Sequence, residues 1–158
     1  MKNDKFLLGI VAGIVLLVMV AVTVVLTRGG QEDYIAADTP AGVVHNYYLA
    51  IQRRDYERAY GYLSDDLEAK PELDDFMRTV DAPGNQAESS IQIGETTLDD
   101  DRAQVDVAIT TYYGGGLFNS GNNTTRQTAY LRATAGGDWR LIEFPYPYWG
   151  YDWNQARD

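Results

Sequence analysis

The spacing of apolar residues changes once along this chain, near Gln86, and that change limits it to a few folds. Before Gln86 the period is helical. Thr39-Pro40 can open a helix, because Thr is a good N-cap and Pro suits the first helical position, where its missing N–H would be unpaired anyway. Val43, Val44, Tyr47, Tyr48 and Ile51 follow at helical spacing and form a broad apolar face. Arg53, Arg54 and Asp55 end that helix. Asp55 can cap a second, short one carrying Ala59, Tyr60 and Leu63, and Ser64 starts a turn through Leu67. Pro71 reopens a helix whose Leu73, Phe76, Met77 and Val80 sit at i, i+3, i+4 and i+7, and the turn residues at 81–85 stop it.

After Gln86 the period is two. Strands are expected over Ser90–Leu98, Arg102–Tyr113, Thr124–Ala135 and Asp138–Phe144. Between them lie a turn at Asp99-Asp100-Asp101, a long glycine-rich loop over 114–123, and Gly136-Gly137. Ala103, Val105, Val107 and Ile109 point one way, Gln104, Asp106 and Thr110 the other. Ala129, Leu131 and Ala133 share a face. Helices followed by an antiparallel meander of about four strands with one apolar face define an α+β fold in which the helices cover the sheet.

Phe6 to Leu26 is a run of 21 residues without charge. At a rise of 1.5 Å per residue it would span about 31 Å, the thickness of a hydrocarbon core. A cleaved signal peptide is the alternative, but the run is long for one and Val24-Val25-Leu26-Thr27-Arg28 offers no small-x-small cleavage site. The expectation is an N-terminal transmembrane helix over residues 6–26. Lys2 and Lys5 would place residues 1–5 in the cytoplasm and the C-terminal domain outside a single-pass plasma membrane. Gly9 and Gly13 form a G-x-x-x-G that could pair two such helices in a homodimer. Thr27 to Asp38 reads as a polar linker.

The formal charge is −10, and from Thr27 onward 11 basic residues face 22 acidic ones. That acidity excludes a nucleic-acid partner, because phosphate repels it. It also holds the domain off anionic headgroups. The absence of cysteine excludes disulfides, a cysteine nucleophile, cysteine-based metal sites and cysteine lipidation. About 130 residues beyond the uncharged run are too few for two ordinary domains.

The residues Thr39-Pro40-x-x-Val43-Val44-x-x-Tyr47-Tyr48-x-Ala50-Ile51, then Asp55-Tyr56-x-x-Ala59-Tyr60-x-Tyr62-Leu63 and a final Gly137-Asp138-Trp139-Arg140-Leu141 resemble the nuclear transport factor 2-like superfamily. The resemblance covers residues 39–144 and is strongest to membrane-tethered members of unknown function. It implies a cone of sheet around a long first helix. The superfamily spans isomerases, dehydratases, hydrolases and assembly domains, so it implies no single activity. Its ketosteroid isomerases use an aspartate base with a tyrosine and a protonated aspartate, and its scytalone dehydratases use histidines and an aspartate. This chain has one histidine and no acid at a matching position, so no catalytic residue carries over.

Several residues are candidates for chemistry. Glu143 alternates with Trp139 and Leu141. If that face is the core, burial would raise its pKa toward that of a general base; if Ile142 and Phe144 face inward, it is a surface acid. His45 lies one position from the apolar face and could be a base or a helix-rim residue. Tyr47, Tyr60, Tyr113 and Trp139 could line a ligand cavity or simply pack the core. Asp99-Asp100-Asp101 with Glu95 lacks the spacing of a calcium loop and reads as a solvated turn, so no metal is expected, and no cofactor either. Asn122 and Asn123 begin two overlapping N-x-Thr sequons.

The tail, residues 145–158, continues an aromatic run that starts at Phe144. Six of the ten residues from Phe144 to Trp153 are aromatic. Pro145 and Pro147 bar helix and interior strand. Tyr146, Tyr148, Trp149, Tyr151 and Trp153 could close the open end of the cone, bind a partner, or rest at a bilayer interface. The reading that follows is a membrane-anchored extracytoplasmic domain that binds a small apolar or amphipathic ligand or an envelope protein. Two alternatives stand beside it: an isomerase, dehydratase or hydrolase using Glu143 with a tyrosine, and a pocketless assembly subunit of a membrane complex.

Overall fold

The computed structural model describes residues 10–11, 13–20, 22–23, 32–82, 88–114 and 120–154. The chain divides into two compact units, Met1–Asp33 and Tyr34–Asp158.

In the first unit, the described residues between positions 10 and 23 are helical and exposed. Among the described residues no helix is long and apolar enough to cross a membrane. This overturns the transmembrane helix expected over Phe6–Leu26, and with it the single-pass plasma-membrane placement. Gly9, half of the expected pairing motif, lies outside the described residues.

The second unit holds three helices, α1 (Pro40–Gln52), α2 (Tyr56–Gly61) and α3 (Leu73–Val80). Four strands follow them, β1 (Ser89–Asp99), β2 (Arg102–Gly114), β3 (Ser120–Ala133) and β4 (Trp139–Glu143). Thr39 caps α1 by accepting the Gly42 N–H at 3.1 Å, and Pro40 takes the first position. Arg54 turns the chain with φ of 58°, and Asp55 caps α2 through the Arg58 N–H. Ten of the thirteen residues of α1 are buried, so this helix is enclosed nearly all round rather than along one face.

Part of that enclosure comes from a segment read in the sequence as linker. The carboxamide of buried Asn46 accepts the Ile35 N–H at 2.9 Å and donates to the Ile35 carbonyl at 2.7 Å. Both backbone groups of Ile35 are therefore satisfied by one side chain, as a neighbouring strand would satisfy them. The Tyr34 ring lies against the guanidinium groups of Arg53 and Arg58, and its hydroxyl donates to Asp55. A side chain at Gly42 would collide with the Ala36 carbonyl, so the close approach requires glycine here.

The strands form one antiparallel sheet in the order β1-β2-β3-β4. Ala103, Val105, Val107 and Ile109 face the helices as their alternation predicts, and Ala129, Leu131 and Leu141 continue that face. The β2–β3 hairpin pairs as far as Gly114 with Ser120, so strand occupies much of what reads in sequence as a loop over 114–123. The outer edge of β4 is covered, because residues 62–64 run beside it and exchange two backbone bonds of 2.8 Å with Leu141.

Replacing Asn46 by Ala would leave two backbone groups of Ile35 unpaired. The expected loss is about 2 kcal/mol in denaturant unfolding, with faster hydrogen exchange at Ile35. Asp38→Ala, on the exposed turn before the helix, should stay within about 0.5 kcal/mol.

Candidate functional site

The space between α1 and the sheet is occupied by aromatic rings. Tyr47 is fully buried and stands 4.7 Å from the Phe144 ring and 6.3 Å from that of Trp149. Phe76 of α3 meets Trp153 at 5.6 Å, and Trp153 meets Trp149 at 4.9 Å. The tail thus folds back and supplies core. The Tyr47 hydroxyl donates to the Tyr148 carbonyl at 2.6 Å, and the Trp153 carbonyl accepts the Ala69 N–H at 3.1 Å. The Tyr148 hydroxyl joins those of Tyr48 and Ser89, with Gln52 donating into the same cluster.

The expected site residues do not converge in the interior. Tyr60 donates to the Pro71 carbonyl at 2.9 Å. Tyr113 is exposed toward the far end of β2, and Trp139 is half-buried at the start of β4. His45 is half-buried with its Nδ1 3.3 Å from the Asn46 Oδ1. Glu143 is exposed. Its position follows from a register shift: Leu131 pairs with Leu141 but Tyr130 pairs with Glu143, so β4 carries an extra residue at that point. Such a bulge breaks the alternation that would place Glu143 beside Leu141, and Phe144 turns inward instead. A general base inside the cone is therefore not what Glu143 supplies.

Glu143 does meet other expected residues, on the outside. It lines a groove of about 200 Å³ with Tyr146, Trp149, Tyr151, Gln127 and Asn154. Tyr146 and Tyr151 are 60% and 78% exposed and lie against each other, centroids 5.5 Å apart and planes 28° apart. Trp149 is buried beneath, and its indole N–H has no acceptor among the described residues. A second groove of about 290 Å³ shares Glu143 and Asn154 and continues over Tyr130, Arg132, Asp66 and Glu68. A larger hollow of about 400 Å³ lies at the β1 bulge beside Gly94, where Thr128 is already bonded to Asp106 at 2.9 Å.

The charges along the composite groove are uneven. Arg132 stands in a cross-strand row with Arg102 and Arg140, like charges directly opposite one another. Asp66 at 3.7 Å and Asp101 at 3.9 Å balance it at distances too long for hydrogen bonds. Among the described residues, Glu143 and Glu68 are in no ion pair. The groove therefore has an aromatic half and an acidic half that meet at Glu143. Gln127, Asn154, Asp66 and Glu68 carry no motif in the sequence. Glu143 and the aromatic tail were the signals that pointed to this surface, and the alternation of β3 puts Thr128, Tyr130 and Arg132 on the same outer side, away from Ala129 and Leu131.

No family model matches the chain, and no curated protein matches it. Solved structures do. A Thiobacillus denitrificans protein assigned as a calcium/calmodulin-dependent protein kinase II association domain is 14% identical. The match covers 66% of this chain and 90% of that one, with a TM-score of 0.52. A Shewanella frigidimarina protein assigned as a ketosteroid isomerase is 21% identical over 70% of this chain and 96% of that one, TM-score 0.49. A Streptomyces avermitilis protein assigned as a dehydratase of the nuclear transport factor 2-like family is 16% identical over 63% and 86%, TM-score 0.46. The likeness is one of fold.

Burial holds the Tyr47 phenol well above its ordinary pKa. The unfolded chain ionises this group near pH 10, the folded chain only at higher pH, so the folded state keeps the proton longer. Its contribution is complete below about pH 10 and is lost as pH rises through the folded value. Stability should fall on that alkaline limb. Tyr47→Phe should flatten the limb and, with the Tyr148 bond gone, lower stability at neutral pH by about 1 kcal/mol in denaturant melts.

Proposed function

We propose that this chain is a binding domain that takes an amphipathic ligand or partner in the outer groove centred on Glu143. The observation that carries the reading is the meeting of Glu143 with Tyr146 and Tyr151 on the surface above buried Trp149, while the space between α1 and the sheet holds packed rings. Two large tyrosine faces stacked in solvent are the kind of area that interfaces use. Glu143 sets orientation by its charge, and the neighbouring amides of Gln127 and Asn154 offer both donors and acceptors. The ketosteroid isomerase and dehydratase assignments belong to similar folds, and an exposed acid in an open groove is a poor base for such chemistry.

A ligand-observed NMR screen of small amphipathic molecules and short peptides against the full-length protein tests this. Hits should shift the signals of Tyr146, Tyr151 and Asn154 and should weaken about tenfold in Glu143→Lys and Tyr151→Ala. Both positions are exposed, so the circular dichroism spectrum should not change. Hits that persist in both variants, hits that map to Tyr113 instead, or an empty screen would each overturn the reading.

A further inference from the structure

The two halves of the groove ask for different chemistry from one occupant, and that restricts what the occupant is. Resting on the binding reading above, we infer that the groove takes an extended, proline-rich segment of a partner protein. Its proline rings would lie on Tyr146 and Tyr151, and a flanking Lys or Arg would reach Glu143 and Glu68.

Three observations carry this. The first is shape. The two halves hold about 200 and 290 Å³, meet at Glu143 and Asn154 and both open to solvent, so they form a shallow trough and not the enclosed cleft that buries most of a small molecule. A chain laid along the surface fits such a trough. The second is hydrogen bonding. Among the described residues the hydroxyls of Tyr146 and Tyr151 are unbonded, and with the amides of Gln127 and Asn154 they line the aromatic half as donors. A polyproline II segment presents solvated carbonyls and few N–H groups, so it needs donors and supplies acceptors. It is also already ordered, which keeps the entropic cost of docking low. The third is charge. Arg132 is balanced by Asp66 and Asp101, which leaves Glu143 and Glu68 as the uncompensated charges of the acidic half, on a domain that is strongly acidic throughout. A basic flank matches both the groove and the long-range field. A saccharide would also stack on tyrosines, but its neutral hydroxyls would hydrogen-bond those carboxylates without balancing their charge.

Isothermal titration of the full-length protein decides it. The probe is a peptide of six prolines followed by two arginines. One control replaces the arginines by glutamates, a second replaces the prolines by a glycine-serine repeat, and maltohexaose represents a saccharide. The proline–arginine peptide should bind saturably and each control at least about tenfold more weakly. Tyr146→Ala with Tyr151→Ala, and separately Glu143→Lys, should each weaken the peptide about tenfold, and Tyr113→Ala should leave it unchanged. No binding, equal binding of the glycine-serine control, tighter binding of maltohexaose, or insensitivity to the groove variants would each overturn the inference. If the proline peptide fails while the NMR hits still map to Glu143 and Tyr151, the groove reading stands and only its proline-rich occupant falls. If both fail, the groove is not a binding site.

Discussion

One buried hydrogen bond joins the two ends of this domain. The Tyr47 hydroxyl, in the middle of the first helix, donates to the carbonyl of Tyr148, a residue 101 positions later. The helix is enclosed by the sheet on one side, and the remaining sides must be closed by whatever lies outside the sheet. Asn46 closes one by binding Ile35, and Tyr47 closes another by binding the tail. A helix apolar nearly all round has no stable place on a sheet of four strands unless the segment before it and the segment after the sheet return to it. The aromatic tail is thus a structural part of the fold before it is anything else.

The second constraint is the bulge in β4. With strict alternation, Glu143 would share the core face with Leu141 and would be buried without a partner in an aromatic interior. That is a costly place for a carboxylate. The extra residue puts Glu143 on the surface and sends Phe144 inward to Tyr47. Beyond it, Tyr146 and Tyr151 come together outside. One irregularity in pairing therefore puts Phe144 in the core and Glu143 at the groove.

What could be read from the sequence follows from what is local. The cap at Thr39, the cap at Asp55, the alternation of Ala103 to Ile109 and the antiparallel meander are set by neighbours a few residues apart, and they hold in the structure. The bulge at Glu143 depends on the register with Tyr130, and no pattern within Trp139–Glu143 announces it. The docking of Tyr34 and Ile35 depends on Asn46, whose polar side chain looks like a break in an apolar face. The groove was half legible. Glu143, Tyr146, Trp149 and Tyr151 stand out as an acid beside aromatics, but Asp66, Glu68 and Asn154 reach it only through the tertiary fold. The uncharged run at the N-terminus differs for another reason: hydropathy over 21 residues measures composition, and among the described residues no helix is long and apolar enough to cross a membrane.

The tail itself shows why core and surface cannot be separated by cutting the chain. Phe144, Tyr148, Trp149 and Trp153 point in, while Tyr146 and Tyr151 point out. Gly150 makes the split possible, because a side chain there would run into the Trp153 indole. Removing residues 146–158 would strip the buried rings of Trp149, Trp153 and Tyr148 from Tyr47, Phe76 and Tyr48 together with the two exposed ones, so a lost interaction would say nothing about the groove. Substitution of the exposed pair alone leaves the interior rings, the Tyr47 bond and the bulge in place. The division between inward and outward rings is what makes binding at this surface separable from folding, even though one short segment serves both.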